Sequence, residues 1–233
     1  MKNGLIQKTA TVGALTVNEG ELEKINAYSL SQLNAEEVYT FKIAVCSNAQ
    51  DTDRDNEPLV LSAVEQLAEK LKGRTVIFDH NPSAKNQAAR IYETVLEKSD
   101  VLTEAGESLT VLVAHCYMVK TQGNADLISE IKGGIKKEVS VGFATDKFLC
   151  SVCGREYSGC AHQKGRVYAG KMCRAQITNC RDAYEVSFVA VPCQIDAGTK
   201  KNFAPDDARL SAQRENELKA KIKLNELTYF KEE

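Results

Sequence analysis

The chain reads as an α+β protein, on three observations. Apolar and polar residues alternate through Glu138-Val-Ser-Val-Gly-Phe143, the period-two signature of a strand with one buried face. Leu61, Val64, Leu67, Ala68 and Leu71 recur at helical spacing and are followed by Gly73, a residue suited to ending a helix. Around these segments, strand-like and helix-like stretches interleave along 233 residues with no internal repeat of domain size. That length is enough for one substantial core.

The elements follow in order. Val38-Tyr-Thr-Phe-Lys-Ile-Ala-Val-Cys46, rich in β-branched and aromatic residues, is predicted as the first strand. The polar stretch after it, with Asp51, Asp53, Asp55, Asn56 and Glu57, is a loop. The Leu61–Leu71 helix comes next, then Thr75-Val-Ile-Phe78, a short strand that delivers Asp79 and His80 to its C-terminal edge. Ile91–Leu96 and Leu109–Met118 are predicted to form a hairpin, with Val111, Val113, His115 and Tyr117 on one face of its second strand. A helix from about Ala125 to Ile135 leads into the Ser140 strand. After Pro192 and Gly198, Lys200-Lys-Asn-Phe-Ala-Pro205 reads as a linker, and Asp206-Asp207 could cap a polar helical tail running towards Leu227. Leu210, Leu218, Ile222 and Leu224 keep no heptad, which argues against a long coiled coil.

Ser140 is the polar member of its strand, and that alone is compatible with a half-buried surface position. A serine hydroxyl becomes a competent nucleophile only when a base takes its proton, and histidine is the side chain best tuned for that near neutral pH. The chain has three histidines, so the choice of base is narrow, and His80 in Phe78-Asp79-His80 is the candidate.

Four stretches, in this order, resemble the prohead (capsid maturation) serine proteases of tailed phages, distant relatives of the herpesvirus assemblins. They are Asp79-His80 with Asn86-Gln-Ala-Ala-Arg-Ile-Tyr92, the run from Asn124 to Ile135, Glu138-Val-Ser-Val-Gly-Phe143, and Tyr184-Glu-Val-Ser-Phe-Val-Ala-Val-Pro192. The resemblance spans roughly residues 38–195 and implies an assemblin-like β-barrel with flanking helices. It divides the chain into an N-terminal segment (1–37), a protease domain (38–199) and a linker with a helical tail (200–233). It implies Ser140 as nucleophile, His80 as base and Glu185 as the group that orients the imidazole. His115 is a rival third member, because assemblins use a second histidine; that histidine follows the serine, whereas His115 precedes Ser140. Asp79 also stays open as an orienting group. Oxyanion donors cannot be placed, and Cys173–Arg181 is a candidate by position only. The implied activity is cleavage of phage scaffold, of the major capsid protein's arms and of the enzyme itself. The implied setting is an immature prohead in a bacterial host cytoplasm. Self-association is left open. Cys193-Gln194 departs from the small residues usual after the family's proline.

A second signal lies inside a cysteine-rich insertion at 150–182. Cys150-Ser-Val-Cys153-Gly154 and Cys160-Ala-His162 offer four ligands suited to zinc, and a closed set of four makes a structural site rather than a catalytic one. The Cys-x-His half is tighter than usual, so Cys173 or Cys180 could replace a ligand. Phage proteases of this kind sometimes carry a similar insertion. Across residues 150–181, Arg155, Lys164, Arg166, Lys171, Arg174 and Arg181 stand against one acid, Glu156. That pattern supports a rival reading, a zinc-knuckle adaptor or an inactive capsid scaffold protein that binds nucleic acid or assembly partners.

Composition excludes more than it selects. Hydrophobic content of 43% and charged content of 27% are ordinary for a globular chain, and a net charge of -2 argues against a dedicated nucleic-acid coat. No apolar run reaches membrane-span length, and the start Met1-Lys-Asn-Gly-Leu5 lacks a signal-peptide core, so no membrane partner is expected. Eight cysteines in that context point to reduced thiols or metal ligands.

Overall fold

The computed structural model describes residues 17–51 and 53–200. The predicted helical tail, the linker beyond Lys200 and the first sixteen residues lie outside the described residues.

The first element is α1 (Glu19–Asn26), which the sequence reading left unassigned. Asn18 and Glu21 close a capping box at its start, each side chain accepting the other's backbone N–H. Strand β1 (Val38–Ser47), helix α2 (Leu61–Leu71) and strand β2 (Thr75–Phe78) follow as predicted. The hairpin is longer than its apolar pattern, with β3 at Ala89–Leu102 and β4 at Ser108–Val119. Helix α3 (Ala125–Lys132) ends at Gly133, and β5 (Val139–Ala144) carries Ser140. The insertion contributes four short strands, β6 (Phe148–Cys150), β7 (Val167–Tyr168), β8 (Lys171–Met172) and β9 (Ala175–Ile177). The chain returns to the main sheet through β10 (Asp182–Phe188) and β11 (Gly198–Lys200).

Seven strands form one sheet in the order β11-β1-β4-β3-β2-β10-β5. It is antiparallel except between β2 and β10, which run parallel with Phe78 beside Phe188. The sheet curls into a half-barrel whose two edges touch at one end. There Glu138 bridges Gly198, Val139 N–H donates to Ala197 O, and Thr199 N–H donates to Lys137 O. The predicted α+β class therefore holds, in the form of a curled mixed sheet with few helices.

Hydrophobic burial explains the layering. The helical stripe of α2 (Ala63, Val64, Leu67, Ala68, Leu71) packs with Ile43, Ile91, Leu112, Ala114, Cys116 and Val186 in the main core. Each fully buried Leu or Ile contributes about 1.5–3 kcal/mol relative to exposure. On the hairpin's opposite face, Ile25 of α1 joins Val38, Tyr92 and Tyr117 in a smaller cluster. Part of the segment expected to lie outside the domain thus belongs to its packing.

Candidate active site

His80 follows β2 in a backbone conformation that side chains disfavour. Asp79 and His80 have φ of 53° and 52°, and left-handed geometry costs non-glycine residues roughly 1–3 kcal/mol each. Local bonds hold the turn. Asp79 N–H donates to Phe188 O at 3.0 Å, and Asn86 Nδ2 donates to the carbonyls of Phe78 and Asn81 at 2.8 and 3.0 Å. Because β2 and β10 are parallel neighbours, this turn lies beside the end of β10.

The turn brings the His80 ring to Glu185, with Nδ1 2.7 Å from Oε1. Glu185 is buried, and its second oxygen Oε2 accepts the hydroxyl proton of Ser187 at 2.7 Å. The Ser187 oxygen in turn accepts the backbone N–H of His80 at 2.9 Å. An Nδ1–H that donates to the carboxylate leaves Nε2 as the acceptor nitrogen. Among the described residues Nε2 has no hydrogen-bond partner, and the His80 side chain is 44% exposed.

Gly142 makes this contact possible. It lies opposite Glu185 in the β5–β10 ladder. A Cβ added at Gly142 would meet Glu185 Oε1 at 2.2 Å and Cδ at 3.1 Å. The glycine in the Ser140 strand is therefore the space through which the carboxylate reaches the imidazole.

Ser140 is opposite Ser187 in the same ladder. Directly opposed antiparallel residues share a face with Cα atoms about 5 Å apart, so Ser140, Gly142, Glu185 and Ser187 lie on one side of the strand pair. Among the described residues Ser140 makes no hydrogen bond to His80; the two are linked through Ser187 and the strand register. Ser140 also forms part of the wall of a cavity of about 210 Å³. Val141, Phe143, Phe148, Asp53 and Cys193 stand in that wall with it. Burial pushes the Cys193 thiol up, and Asp55 and Asp53 add to the rise, while the nearby Ser140 hydroxyl opposes it. Gln194 binds both backbone polar groups of Ser47, accepting N–H at 2.8 Å and donating to O at 3.2 Å, which gives this departure from small residues a structural role.

The remaining sequence candidates separate. Asp79 is exposed and its side chain has no hydrogen bond among the described residues, so Glu185 alone contacts the ring. His115 lies on β4, three strands from β10 in the sheet order, or roughly 14 Å at the usual spacing. Its Nδ1 is 3.4 Å from Glu93 Oε2 without forming a hydrogen bond, and its ring packs edge-on against Tyr92. Burial holds its pKa below the ordinary histidine value, with nearby Lys42 pushing the same way. Most of the Cys173–Arg181 segment is engaged elsewhere, although Asn179 N–H has no partner among the described residues. The segment's N–H groups at Arg174, Ala175, Ile177, Thr178, Cys180 and Arg181 donate to Ser151 Oγ, Asn56 O, Pro58 O, Lys147 O, Gln66 Oε1 and Ala144 O.

The insertion brings Cys150, Cys153, Cys160 and His162 together, with all four ligand atoms within 4.8 Å of one another. Cys153 Sγ is 3.5 Å from Cys160 Sγ, and His162 Nδ1 is 3.2 Å from Cys160 Sγ and 3.7 Å from Cys150 Sγ. Ligands about 2.3 Å from a tetrahedral zinc stand ~3.7 Å apart, so this set could hold a metal ion. Gly154, at φ 69°, supplies the left-handed turn after the first cysteine pair. Burial raises the Cys150 thiol, but the N–H groups of Cys153 and Val152 and the thiols of Cys160 and Cys153 outweigh it and bring it down to about 6. Cys173 Sγ lies 3.8 Å from Cys150 Sγ yet falls outside the mutually close set, and burial pushes it up to about 11. Cys180 is not part of the cluster; its thiol donates to Asp182 O at 3.4 Å.

Two residues of the site escaped the sequence reading. Ser187 stands in the sequence only as part of the Tyr184–Pro192 stretch, and Gly142 only as a polar-phase position of its strand. The registers of β10 with β2 and with β5 were the signals that would have found them. Comparison of the chain with models of protein families, with curated proteins and with solved structures gave no match.

Proposed function

We propose that the protein is a serine endopeptidase of the phage prohead maturation type. The observation that carries this reading is the 2.7 Å contact between His80 Nδ1 and Glu185 Oε1 beside a strand that presents Ser140 to a cavity. An imidazole anchored by a buried carboxylate at one nitrogen and open at the other is arranged for general-base work.

His80 Nε2 takes the Ser140 proton as Oγ attacks a peptide carbonyl, and then returns it to the departing amine. An acyl-enzyme forms on Ser140 and water, deprotonated by the same nitrogen, hydrolyses it. Glu185 holds the Nδ1–H tautomer and stabilises the imidazolium. The cavity beside Ser140 is lined by neither His80 nor Glu185, so substrate docking has to draw Ser140 Oγ to Nε2, a contact that apo enzymes often leave open. The half-barrel with its flanking helices is read as assemblin-like. Scaffold, capsid-protein arms and the enzyme's own chain are the substrates, inside a prohead in the bacterial cytoplasm.

In this reading the Cys150, Cys153, Cys160 and His162 cluster holds a structural zinc. A bound zinc would supply cross-linking of a long insertion and no chemistry at Ser140, since four protein ligands leave no open position. The Cys3His cluster is also what favours the second reading, a zinc-knuckle adaptor without catalysis. Internal pairing of its basic surround weighs against that. Lys164 pairs with Glu57, Arg174 with Glu104 at 2.6 Å, and Arg181 with Asp146 at 2.6 Å.

The test is to express the wild type and Ser140→Ala with their scaffold and capsid proteins and compare intact masses after confirmed assembly. Fragments present only with the wild type establish the peptidase. Uncut masses in both, with both folded, leave the adaptor or inactive scaffold as the better account.

A further inference from the structure

Three hydrogen bonds form a closed circuit that begins and ends on His80. Its backbone N–H donates to Ser187 Oγ at 2.9 Å, the Ser187 hydroxyl donates to Glu185 Oε2 at 2.7 Å, and Glu185 Oε1 faces His80 Nδ1 at 2.7 Å. A hydroxyl has one proton to give and two lone pairs to offer, so Ser187 can serve both partners at once without conflict. Ser187 is fully buried, which removes water as a competitor for either bond and rules the residue out as the accessible nucleophile.

We propose that Ser187 is a positioning residue for the His80–Glu185 pair, with one oxygen atom fixing both the turn that carries the imidazole and the carboxylate that orients it. The proposal rests on the peptidase reading above. The geometry assigns Ser187 two tasks. The first is to hold His80 in its left-handed backbone conformation, which is uncommon for any residue with a side chain. The second concerns the carboxylate. Glu185 has two oxygens in a buried setting; with Oε2 engaged, only Oε1 is left to face the ring. Without Ser187 the carboxylate can rotate to give either oxygen to the ring or neither, and the turn loses the acceptor that ties its N–H to β10. A displacement of about 1 Å in such a pair costs on the order of 100-fold in rate.

The experiment uses the full chain with two readouts. One is the rate at which a fluorophosphonate probe labels Ser140, with Ser140→Ala as blank; in that reaction the P–F bond breaks, fluoride leaves, and the Oγ proton passes to His80. The other is the ¹⁵N shifts of the His80 ring, which report its tautomer and need no substrate. Ser187→Ala is expected to slow labelling by up to about 100-fold and to turn a fixed Nδ1–H tautomer into a mixture. Ser187→Thr, which keeps the hydroxyl, is expected to restore both. Should Ser187→Ala fail to fold by circular dichroism, Ser187→Cys replaces it, since a thiol keeps the volume but donates weakly. Unchanged labelling and unchanged ring shifts in a folded variant overturn the proposal. A wild type that the probe does not label, with ring shifts that still respond to Ser187→Ala, removes the peptidase reading and leaves the positioning contact standing.

Discussion

Gly142 and Glu185 are fitted to each other across β5 and β10, because the carboxylate occupies the volume in which any Cβ on Gly142 would lie, 2.2 Å from Oε1. The alternation that marks Ser140 as a strand residue therefore also marks, two positions on, the gap through which its proposed base is anchored.

Gly142→Ala is expected to push the Glu185 side chain off His80 while leaving the strand itself paired. Its peptidase rate should approach that of a variant lacking the carboxylate contact, with KM changed little. A crystal structure of the variant checks the displacement directly, and a retained His80–Glu185 contact at full activity would contradict the account.

Glu185→Gln keeps the shape of the side chain and removes its charge. An amide cannot stabilise the imidazolium and can favour the wrong ring tautomer, so kcat should fall by about 10³–10⁴-fold. Steady-state kinetics on a cleaved capsid or scaffold segment measures this. The same substitution at Asp79, which does not contact the ring, should lower kcat far less.

Metal analysis is expected to find one zinc per chain, abolished by Cys153→Ser and by strong chelators. Zinc loss should lower the melting temperature and loosen the acidic loop, because that loop is bonded to the insertion at Asn56 O–Ala175 N and Pro58 O–Ile177 N, both 2.9 Å. Apparent zinc affinity should weaken as pH falls, since protons compete for the same thiolates. A chain that folds metal-free with an unchanged melting curve would rule out a structural ion.

His115 gives a pH dependence of stability. Burial first, then Lys42 and Lys24, lower its pKa below 6.5, against the opposing charges of Glu93 and Glu21. The unfolded chain therefore binds its proton more readily than the native one. The stabilisation is fully present above the unfolded value and is lost as pH falls through the lowered folded value. Denaturant melts between pH 7 and 5 should show a shallower decline for His115→Gln than for the wild type.

Much of the sheet was legible because its strands carry strong local signals. Thr75–Phe78 and Leu61–Leu71 match their predicted limits, since a dense apolar pattern ends at polar Asp79 in one case and near Gly73 in the other. The hairpin was underestimated because the far half of β3, from Glu97 to Leu102, is solvent-exposed and carries no periodic apolar signal. Helix α1 went unseen although Asn18 and Glu21 spell a capping box, because only Ile25 of its residues is fully buried. The four clustered ligands were legible from spacing, which is local. Ser187 and Gly142 were not, because their roles depend on the register of two strands separated by the whole insertion.

The His80–Glu185 contact joins residues 105 positions apart, and β10 is the later partner in every bond of the circuit around it. On the ribosome, the serine strand and the entire cysteine module are made before Glu185 exists. Contacts of such long range form late, after the elements between them. A nascent or truncated chain ending before β10 thus has a serine and an imidazole but nothing to hold them in order, so the proposed peptidase is silent until β10 has been made.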